Sequence, residues 1–377
     1  MAIKVLIVDD SALVRNMLTR ILEEAPGIEV VGTASDPYDA REKIKKLDPD
    51  VLTLDVEMPK MDGITFLANL MRLRPMPVVM VSSMTEEGAE VTMKALELGA
   101  VDFVSKPGGG STRLAEVAAE IVSKVKAAAR ANVPGGHKRG KDTEEAPVDE
   151  KQSADVILPP GKRPIPGAPP LLAIGASTGG TEAIKEVLTR LPGDLPGLVI
   201  TQHIPPGFSA AFARRMDRLC PMTVVEAEEG QPIEPGHAYV APGSHHLVVR
   251  FQNGGYFCHL DDGPRVNRHK PSVDVLFRSV AQTAGPNCVA AILTGMGDDG
   301  ARCLLELKEV GARTIAQDEA TSVVWGMPGS AVKLGAAEKV LPLEKIPGEM
   351  LAMAAGLKPA VGRPRPGLRA AAAGRPL

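Results

Sequence analysis

Residues 4–11 read Lys4-Val5-Leu6-Ile7-Val8-Asp9-Asp10-Ser11, a short apolar run that ends abruptly in two acids. A run without polar alternation is what a strand buried on both faces requires. Immediately after it, Leu13, Val14, Met17, Leu18, Ile21 and Leu22 recur at helical spacing until Pro26-Gly27 stops them. The alternation continues outward. Strand-like runs at Glu29 to Thr33, Val51 to Leu54, Pro77 to Val81 and Val101 to Val104 alternate with helical patterns at Pro37 to Lys46, Ile64 to Leu73, Glu87 to Leu98 and about Leu114 to Ala131. Strands and helices in strict alternation predict a doubly wound parallel sheet.

The chain has 377 residues, about two domains with length to spare. Hydrophobic residues at 44% and charged residues at 24% exclude wholesale disorder. Lys+Arg 43 against Asp+Glu 46 leaves a net charge of -3, so no global basic field points to nucleic acid, and 3% aromatics leave few stacking platforms for single strands. Cys220, Cys258, Cys288 and Cys303 are widely spaced with no C-x-x-C, which argues for reduced thiols and against a disulfide framework or structural zinc. MAIKVLIVDD is no signal peptide, and no run approaches 18 apolar residues, so a cytoplasmic protein that is not membrane-inserted is expected.

Residues 133–169 are rich in Pro, Gly and charge, too polar for a core, and read as a linker. A second α/β region follows over residues 170–356. Its strand-like runs are Leu171 to Ile174, Leu198 to Thr201, Thr223 to Glu226, Ala238 to Ala241, His246 to Phe251, Tyr256 to Leu260, Val289 to Thr294 and Thr314 to Ala316. Helical patterns follow Thr181, Ser209, Ser272 and Ala301. Gly236 to Leu260 has little room for crossovers and is expected to be antiparallel hairpin. Residues 357–377, with no acid among them, read as a basic disordered tail.

In the first region, Asp9 and Asp10 follow one strand and Asp55 follows the third. The carboxyl ends of parallel strands meet at one edge, where such carboxylates raise one another's pKa unless a cation is present. Mg²⁺ suits that site. Ser82 and Lys106 follow the fourth and fifth strands, and the set suits transfer of a phosphoryl group onto Asp55.

IVDDS (Ile7 to Ser11), LDVEMPKMDG (Leu54 to Gly63), VSS (Val81 to Ser83) and DFVSKP (Asp102 to Pro107) make residues 1–132 resemble the response-regulator receiver domain, a flavodoxin-like fold. The resemblance implies that Asp55 accepts phosphate from a histidine kinase. Asp10, with Asp9, Asp55 and the backbone carbonyl of Glu57, would hold Mg²⁺. Ser82 and Lys106 would contact the phosphoryl group, and Phe103 fits the aromatic position that reports the switch.

In the second region, Gly175-Ala176-Ser177-Thr178-Gly179-Gly180 matches G-x-S-x-G, a tight strand-to-helix turn that exposes a serine. A phosphate-gripping loop is the rival reading of that pattern. An α/β-hydrolase order, with Asp217, Asp261 or Asp262 ahead of His269, fits no clear strand ends. His203 and Asp299, however, each follow a parallel-type strand as Ser177 does, and strand ends meet at one edge. There a serine hydroxyl could reach an imidazole oriented by a carboxylate. Gly295 to Gly300 (GMGDDG), with Asp318 about 20 residues on, also fits a dinucleotide fingerprint. Asp298 and Asp299 would then repel the pyrophosphate at the helix N-terminus. His245, His246, His259 and His269 with Asp261 and Asp262 show no metal-ligand spacing.

IGASTGGTEA, TQHIPPGFSAAFARRM, YVAPGSHHL, NRHKPSVDVLFRSVA, ILTGMGDDGA and QDEATSVVWGMP make residues 170–356 resemble the catalytic domain of the chemotaxis protein-glutamate methylesterases. The resemblance implies a Rossmann-like α/β esterase with Ser177 as nucleophile, His203 as base and Asp299 as orienter. Thr178 and the Met296 backbone would lie at the oxyanion, with His269 lining the site. It implies hydrolysis of glutamate methyl esters on methyl-accepting chemoreceptors, deamidation of selected glutamines, and no cofactor for the ester chemistry. A receiver-controlled transcription factor would want a basic recognition helix in the output half, and none stands out. A linker of about 35 residues has a relaxed reach of about 30 Å, enough for the receiver to fold back over the cleft.

Overall fold

The computed structural model describes residues 2–58, 60–83, 85–106, 111–133, 151–161 and 164–357. The expected tail beyond Leu357 and residues 134–150 of the expected linker lie outside the described residues. In the first unit, β1 (Ile3–Val8), β2 (Ile28–Ala34), β3 (Val51–Asp55), β4 (Val78–Ser82) and β5 (Asp102–Ser105) form a parallel sheet in the order β2-β1-β3-β4-β5. Helices α1 (Ala12–Glu23), α2 (Pro37–Leu47), α3 (Gly63–Leu73), α4 (Glu86–Glu97) and α5 (Ser111–Ala129) alternate with the strands. Ser11, Asp36, Asp62 and Thr85 cap the first four helices, each side chain accepting main-chain N–H groups of the first turn. The strand order reverses between β1 and β3. Their carboxyl ends therefore open a crevice that holds Asp9, Asp10 and Asp55.

The second unit has a seven-stranded parallel sheet. It contains β6 (Leu171–Ala176), β7 (Leu198–Gln202), β8 (Thr223–Glu226), β10 (His237–Val240), β13 (Cys288–Ile292), β14 (Arg313–Gln317) and β15 (Lys339–Leu341), in the order β15-β14-β13-β6-β7-β10-β8. A separate antiparallel sheet runs β11 (His246–Gln252), β12 (Gly255–Asp261), β9 (Pro232–Ile233). The hairpin expected from Gly236 to Leu260 is therefore confined to β11 and β12. Its supposed first strand, β10, instead runs parallel to β7 and β8 inside the main sheet. Ala238, Tyr239 and Val240 are all buried, as a strand sandwiched on both faces must be. The helices are α6 (Gly180–Leu188), α7 (Phe208–Leu219), α8 (Val273–Thr283), α9 (Ala301–Glu309), α10 (Met327–Lys333) and α11 (Ile346–Ala355). Of the stretch read as a linker, residues 151–161 and 164–169 lie against this unit, with Ala154 and Ala168 in its core.

Strand order reverses again at β6 and β13, and β7 lies next to β6, so the loops after these three strands share one edge. Each loop ends on a left-handed glycine that opens the following helix: Gly179 (φ 76), Gly207 (φ 90) and Gly300 (φ 85). A left-handed residue turns the chain from strand to helix within a few residues, which side chains with a Cβ disfavour by about 1–2 kcal/mol. Around Gly207 the space for a Cβ is open, whereas at Gly300 it would sit 2.4 Å from Val273 Cγ1. Thermal unfolding should separate the two effects. Gly207→Ala should lose about 1–2 kcal/mol from backbone strain alone. Gly300→Ala should lose about 1–3 kcal/mol more through overpacking, and equal losses would contradict this account.

Candidate active site and phosphoacceptor site

Ser177, His203 and Asp299 meet at the edge built by β6, β7 and β13. Ser177 Oγ lies 3.0 Å from His203 Nδ1, and His203 Nε2 lies 2.8 Å from Asp299 Oδ2. The donor pattern this requires is Nε2–H donating to the carboxylate and Nδ1 free to accept the serine O–H. The ring is thus used in the opposite sense to the familiar serine-protease arrangement, with the same roles available to it.

Asp299 is buried and richly supplied with donors. Its Oδ1 accepts from Asn267 Nδ2 and Ser272 Oγ, each at 2.8 Å, and its Oδ2 accepts from Val273 N at 2.7 Å. Burial alone would raise this carboxyl. The His203 bond, the neighbouring imidazoles and Asn267 outweigh burial and hold it well below the usual carboxylate range. Asp274, also buried, shares Asn267 Nδ2 at 2.6 Å and accepts from Cys303 N at 2.9 Å. Burial, then the nearby Asp299 charge, pushes Asp274 up to about 7. His269 stacks on the His203 ring, with centroids 3.7 Å apart and planes 10° apart, and burial holds its own pKa well below the usual value.

Of the two residues expected at the oxyanion, Thr178 directly follows Ser177 and Met296 lies in the loop after β13, three residues before Asp299. Gly295 must be glycine, since a Cβ there would lie 2.7 Å from Ser177 Cβ. Asn267, Ser272 and Asp274 were not singled out by sequence reasoning. The one available signal was that all three lie within the stretch Asn267 to Phe277, whose pattern does not announce a loop that returns to the β13 edge. The histidines weighed as a metal site have other partners: His246 bonds Pro264 O and Ser272 N, and His259 bonds Glu229. Gly295 to Gly300 delivers Asp299 to His203, so the dinucleotide reading of that stretch has its key position occupied by an anion.

In the first unit, Asp9, Asp10 and Asp55 offer oxygens that all lie within 4.8 Å of one another. Lys106 Nζ lies 2.8 Å from Asp55 Oδ2 and 3.7 Å from Asp9 Oδ2. Asp9 Oδ2 is buried with no hydrogen-bond partner. An orphaned buried oxygen beside two further carboxylates fits a hard divalent cation. Burial pushes Asp55 up to about 6 despite Lys106, and raises Asp9 as well. Burial pulls the Lys106 ammonium down, but the Asp55 bond and the two aspartates outweigh it. Glu57 donates its N–H to Asp55 Oδ1 at 3.3 Å, while its carboxylate is exposed. Ser82 turns its hydroxyl toward α4, donating to Gly88 O at 3.2 Å.

The two units meet in a direct interface. Thr178 Oγ1 donates to Asp102 Oδ2 at 2.7 Å in a buried bond between the units. Asp102 Oδ1 also pairs with Lys124 at 3.1 Å, and Lys124 Nζ donates to Phe103 O at 2.6 Å. The Phe103 ring packs on Phe208 with centroids 4.6 Å apart. Around this core, Asn132 N donates to Val323 O, Ser123 Oγ to Met296 Sδ, and Arg215 to Glu97. Ser177, Thr178 and His203 are buried in this arrangement.

A receiver-type sheet docked on the serine-bearing edge of a second α/β unit defines a response regulator with an enzymatic output. Family models agree: the response regulator receiver domain matches residues 5–118 and the CheB methylesterase matches residues 172–350. The chain is 58% identical over 361 residues to protein-glutamate methylesterase/protein-glutamine glutaminase 1 of Xanthomonas campestris pv. campestris, covering 94% of this chain and 98% of that protein. It is 56% identical over 371 residues to the protein-glutamate methylesterase/protein-glutamine glutaminase of Hydrogenovibrio crunogenus, covering 93% and 98%. The solved catalytic domain of Thermotoga maritima CheB methylesterase is 39% identical, covering 49% of this chain and 98% of that one with a TM-score of 0.48. The chain belongs to the CheB family of protein-glutamate methylesterase/protein-glutamine glutaminases. Among the described residues, no helix is long and apolar enough to cross a membrane.

The raised pKa of Asp55 is a stability statement. A carboxyl whose folded pKa lies above its unfolded value binds more protons in the folded state, so stability falls as pH rises from about 4 to about 6. Asp55→Asn removes that penalty. In Mg²⁺-free buffer at pH 7 the variant should be more stable than the parent, by at most about 3 kcal/mol. The advantage should shrink as pH falls from 6 toward 4. A variant no more stable than the parent at pH 7 would show that the buried charge is otherwise compensated.

Proposed function

We propose that the chain hydrolyses glutamate methyl esters on chemoreceptors, and deamidates selected glutamines there, with Ser177 as nucleophile, His203 as general base and Asp299 as orienting carboxylate. The observation that carries this reading is the unbroken line from Ser177 Oγ through both His203 nitrogens to Asp299. His203 Nδ1 takes the serine proton as Oγ attacks the ester carbonyl, and Nε2–H stays on the carboxylate. Main-chain N–H groups of Thr178 and Met296 receive the oxyanion. The imidazolium returns its proton to the departing methoxide, giving methanol. Water, deprotonated in turn by His203, then frees Ser177 and leaves glutamate. For glutamine the same cycle expels ammonia. His269, stacked flat on the ring, lines the site and keeps the imidazole in its plane.

Asp55 is the residue that would accept phosphate from a histidine kinase. Asp9, Asp10, Asp55 and the Glu57 carbonyl would hold Mg²⁺, which neutralises charge around a phosphoryl group. Lys106, now paired with Asp55, would pair with that group. Ser82 would have to leave Gly88 O to reach it. The docked receiver covers the serine edge against a substrate as large as a receptor, and Asp102 occupies the hydroxyl of Thr178 beside the nucleophile. Phosphorylation would loosen this docking through β5, which carries Asp102 and Phe103 and leads into Lys106.

Two measurements of methanol release from methyl-labelled receptor membranes test the scheme. Folded Ser177→Ala should release none, and Asp299→Asn should be slower by about 10³–10⁴-fold. Near-normal release by Ser177→Ala would end the serine mechanism. Without phosphodonor, Asp102→Ala should raise basal release about tenfold, the worth of a buried hydrogen bond to a charged group. Asp55→Asn should stay at the basal rate whether or not phosphodonor is present. An Asp102→Ala enzyme as slow as the resting parent would show that cover by the receiver is not what limits it.

A further inference from the structure

Residues 151–158 do more than join two domains. Asp155 and the Leu158 carbonyl, the latter at 3.0 Å, accept from Nη1 of Arg278, whose other nitrogens bond Glu306 at 2.9 and 2.6 Å. The Arg278 side chain is 1% exposed. A buried guanidinium that loses a partner is costly, so this residue fastens the segment to α8. Ala154 is buried, Ile157 packs on the same core, and Gln282 Nε2 donates to Pro159 O at 2.8 Å.

The other end of the fastened segment contacts two neighbours of Asp299. Lys151 Nζ lies 2.8 Å from Oδ1 and 2.9 Å from Oδ2 of Asp298, the residue before Asp299. Gln152 O accepts the main-chain N–H of Asn267 at 2.9 Å. Asn267 and Arg268 are consecutive left-handed residues, φ 50 and 72, neither of them glycine. Each such residue costs about 1–2 kcal/mol and persists where its surroundings hold it. The turn they make is closed by Val266 N to His269 O at 3.0 Å and His269 N to Val266 O at 2.8 Å. That turn aims Asn267 Nδ2 at Asp299 and lays His269 on the His203 ring.

We propose that Lys151 to Leu158 is a positioning strap of the esterase site, which holds the Asn267–Arg268 turn and the Asp298–Asp299 loop so that Asp299 and His269 fix the His203 imidazole. The inference rests on Asp299 being the triad carboxylate. None of the strap residues touches the substrate or the reacting atoms. Their effect is on ring orientation, where a small misplacement of a catalytic group costs up to about 100-fold in rate.

The test uses the full chain, saturated with phosphodonor and Mg²⁺ so that receiver docking does not limit the rate. Ala154→Arg, which forces the strap off its core contact, and Asp155→Ala should lower kcat about tenfold with KM within about twofold. The low-field proton resonance of the His203–Asp299 hydrogen bond should shift or broaden, and Asp155→Glu should recover most of the rate. Lys151→Ala breaks only a half-exposed ion pair, so its melting temperature should hold while kcat falls several-fold. Lys151→Ala therefore decides the matter if either of the first two variants fails to fold. Unchanged kcat and an unchanged resonance in a folded variant would make the strap a stabiliser and overturn the proposal. Failure of the triad assignment itself reads differently, as methanol release surviving Ser177→Ala.

Discussion

A single buried anion organises the second domain. Asp299 has no access to water, so its charge survives only because protein donors replace the hydration it lost. Those donors come from four places: His203 after β7, the Asn267 turn, the Ser272 hydroxyl that also caps α8, and the first N–H groups of α8 itself. A helix N-terminus is a natural seat for a carboxylate. Here it does two things at once, because the helix that satisfies Asp299 also packs Val273 against the left-handed Gly300 and sets where the β13 loop can go. Removing any donor raises the cost of the charge, and a protonated Asp299 could no longer hold the imidazole in the tautomer that leaves Nδ1 facing Ser177.

Asp55 is the opposite case. It is equally buried, yet it has one ammonium and one weak main-chain donor, and Asp9 beside it keeps an oxygen with no hydrogen-bond partner. Its carboxyl is accordingly raised where that of Asp299 is lowered. An anion whose needs are met is rigid. An anion whose needs are unmet stores free energy that a cation or new bonds release, and that is what a switch requires. The same residue type thus meets two environments, one rich in donors around Asp299 and one poor in donors and beside a like charge around Asp55.

Strand ends were the legible part of this sequence. Asp9, Asp10, Asp55, Ser82 and Lys106, like Ser177 and His203, stand at or just beyond the ends of strand-like runs, and Asp299 lies five residues past Thr294 in the loop that follows its run; parallel-sheet topology alone gathers such residues at one edge. What depends on direction or on long-range return was not legible. The run Ala238 to Ala241 looks the same whether it pairs parallel or antiparallel, and proximity to the β11–β12 hairpin favoured the wrong choice. The short strands Pro232–Ile233 and Lys339–Leu341 lack enough apolar length to stand out. Asn267 and Ser272 carry no periodic signal, since their meaning comes from a left-handed turn that only tertiary contacts sustain. Residues 151–158 sit inside a long Pro-, Gly- and charge-rich stretch, so composition hid the buried Ala154 and the Asp155–Arg278 pair that fasten them.

The contact between the domains needs to supply only a modest energy. Holding the receiver docked in a 99:1 ratio needs about 2.7 kcal/mol. A buried hydrogen bond to a charged group contributes about 1.5–3 kcal/mol, so Asp102 on Thr178 is by itself of the right size. It sits on the strand that also carries Phe103 to Phe208 and that leads into Lys106. From Asp102 to Lys106 is four residues, about 13 Å of extended chain. If Asp55 is the phosphoacceptor as proposed, a phosphoryl group that drew Lys106 away from its present place between Asp55 and Asp9 would pull on the same short strand whose other end holds Thr178. No relay of side chains across the receiver core is required. On the proposed switch, one strand, with the under-satisfied Asp55 beside one end and the buried Asp102 tied to Thr178 at the other, would be enough to make the serine edge answer to the charge at Asp55.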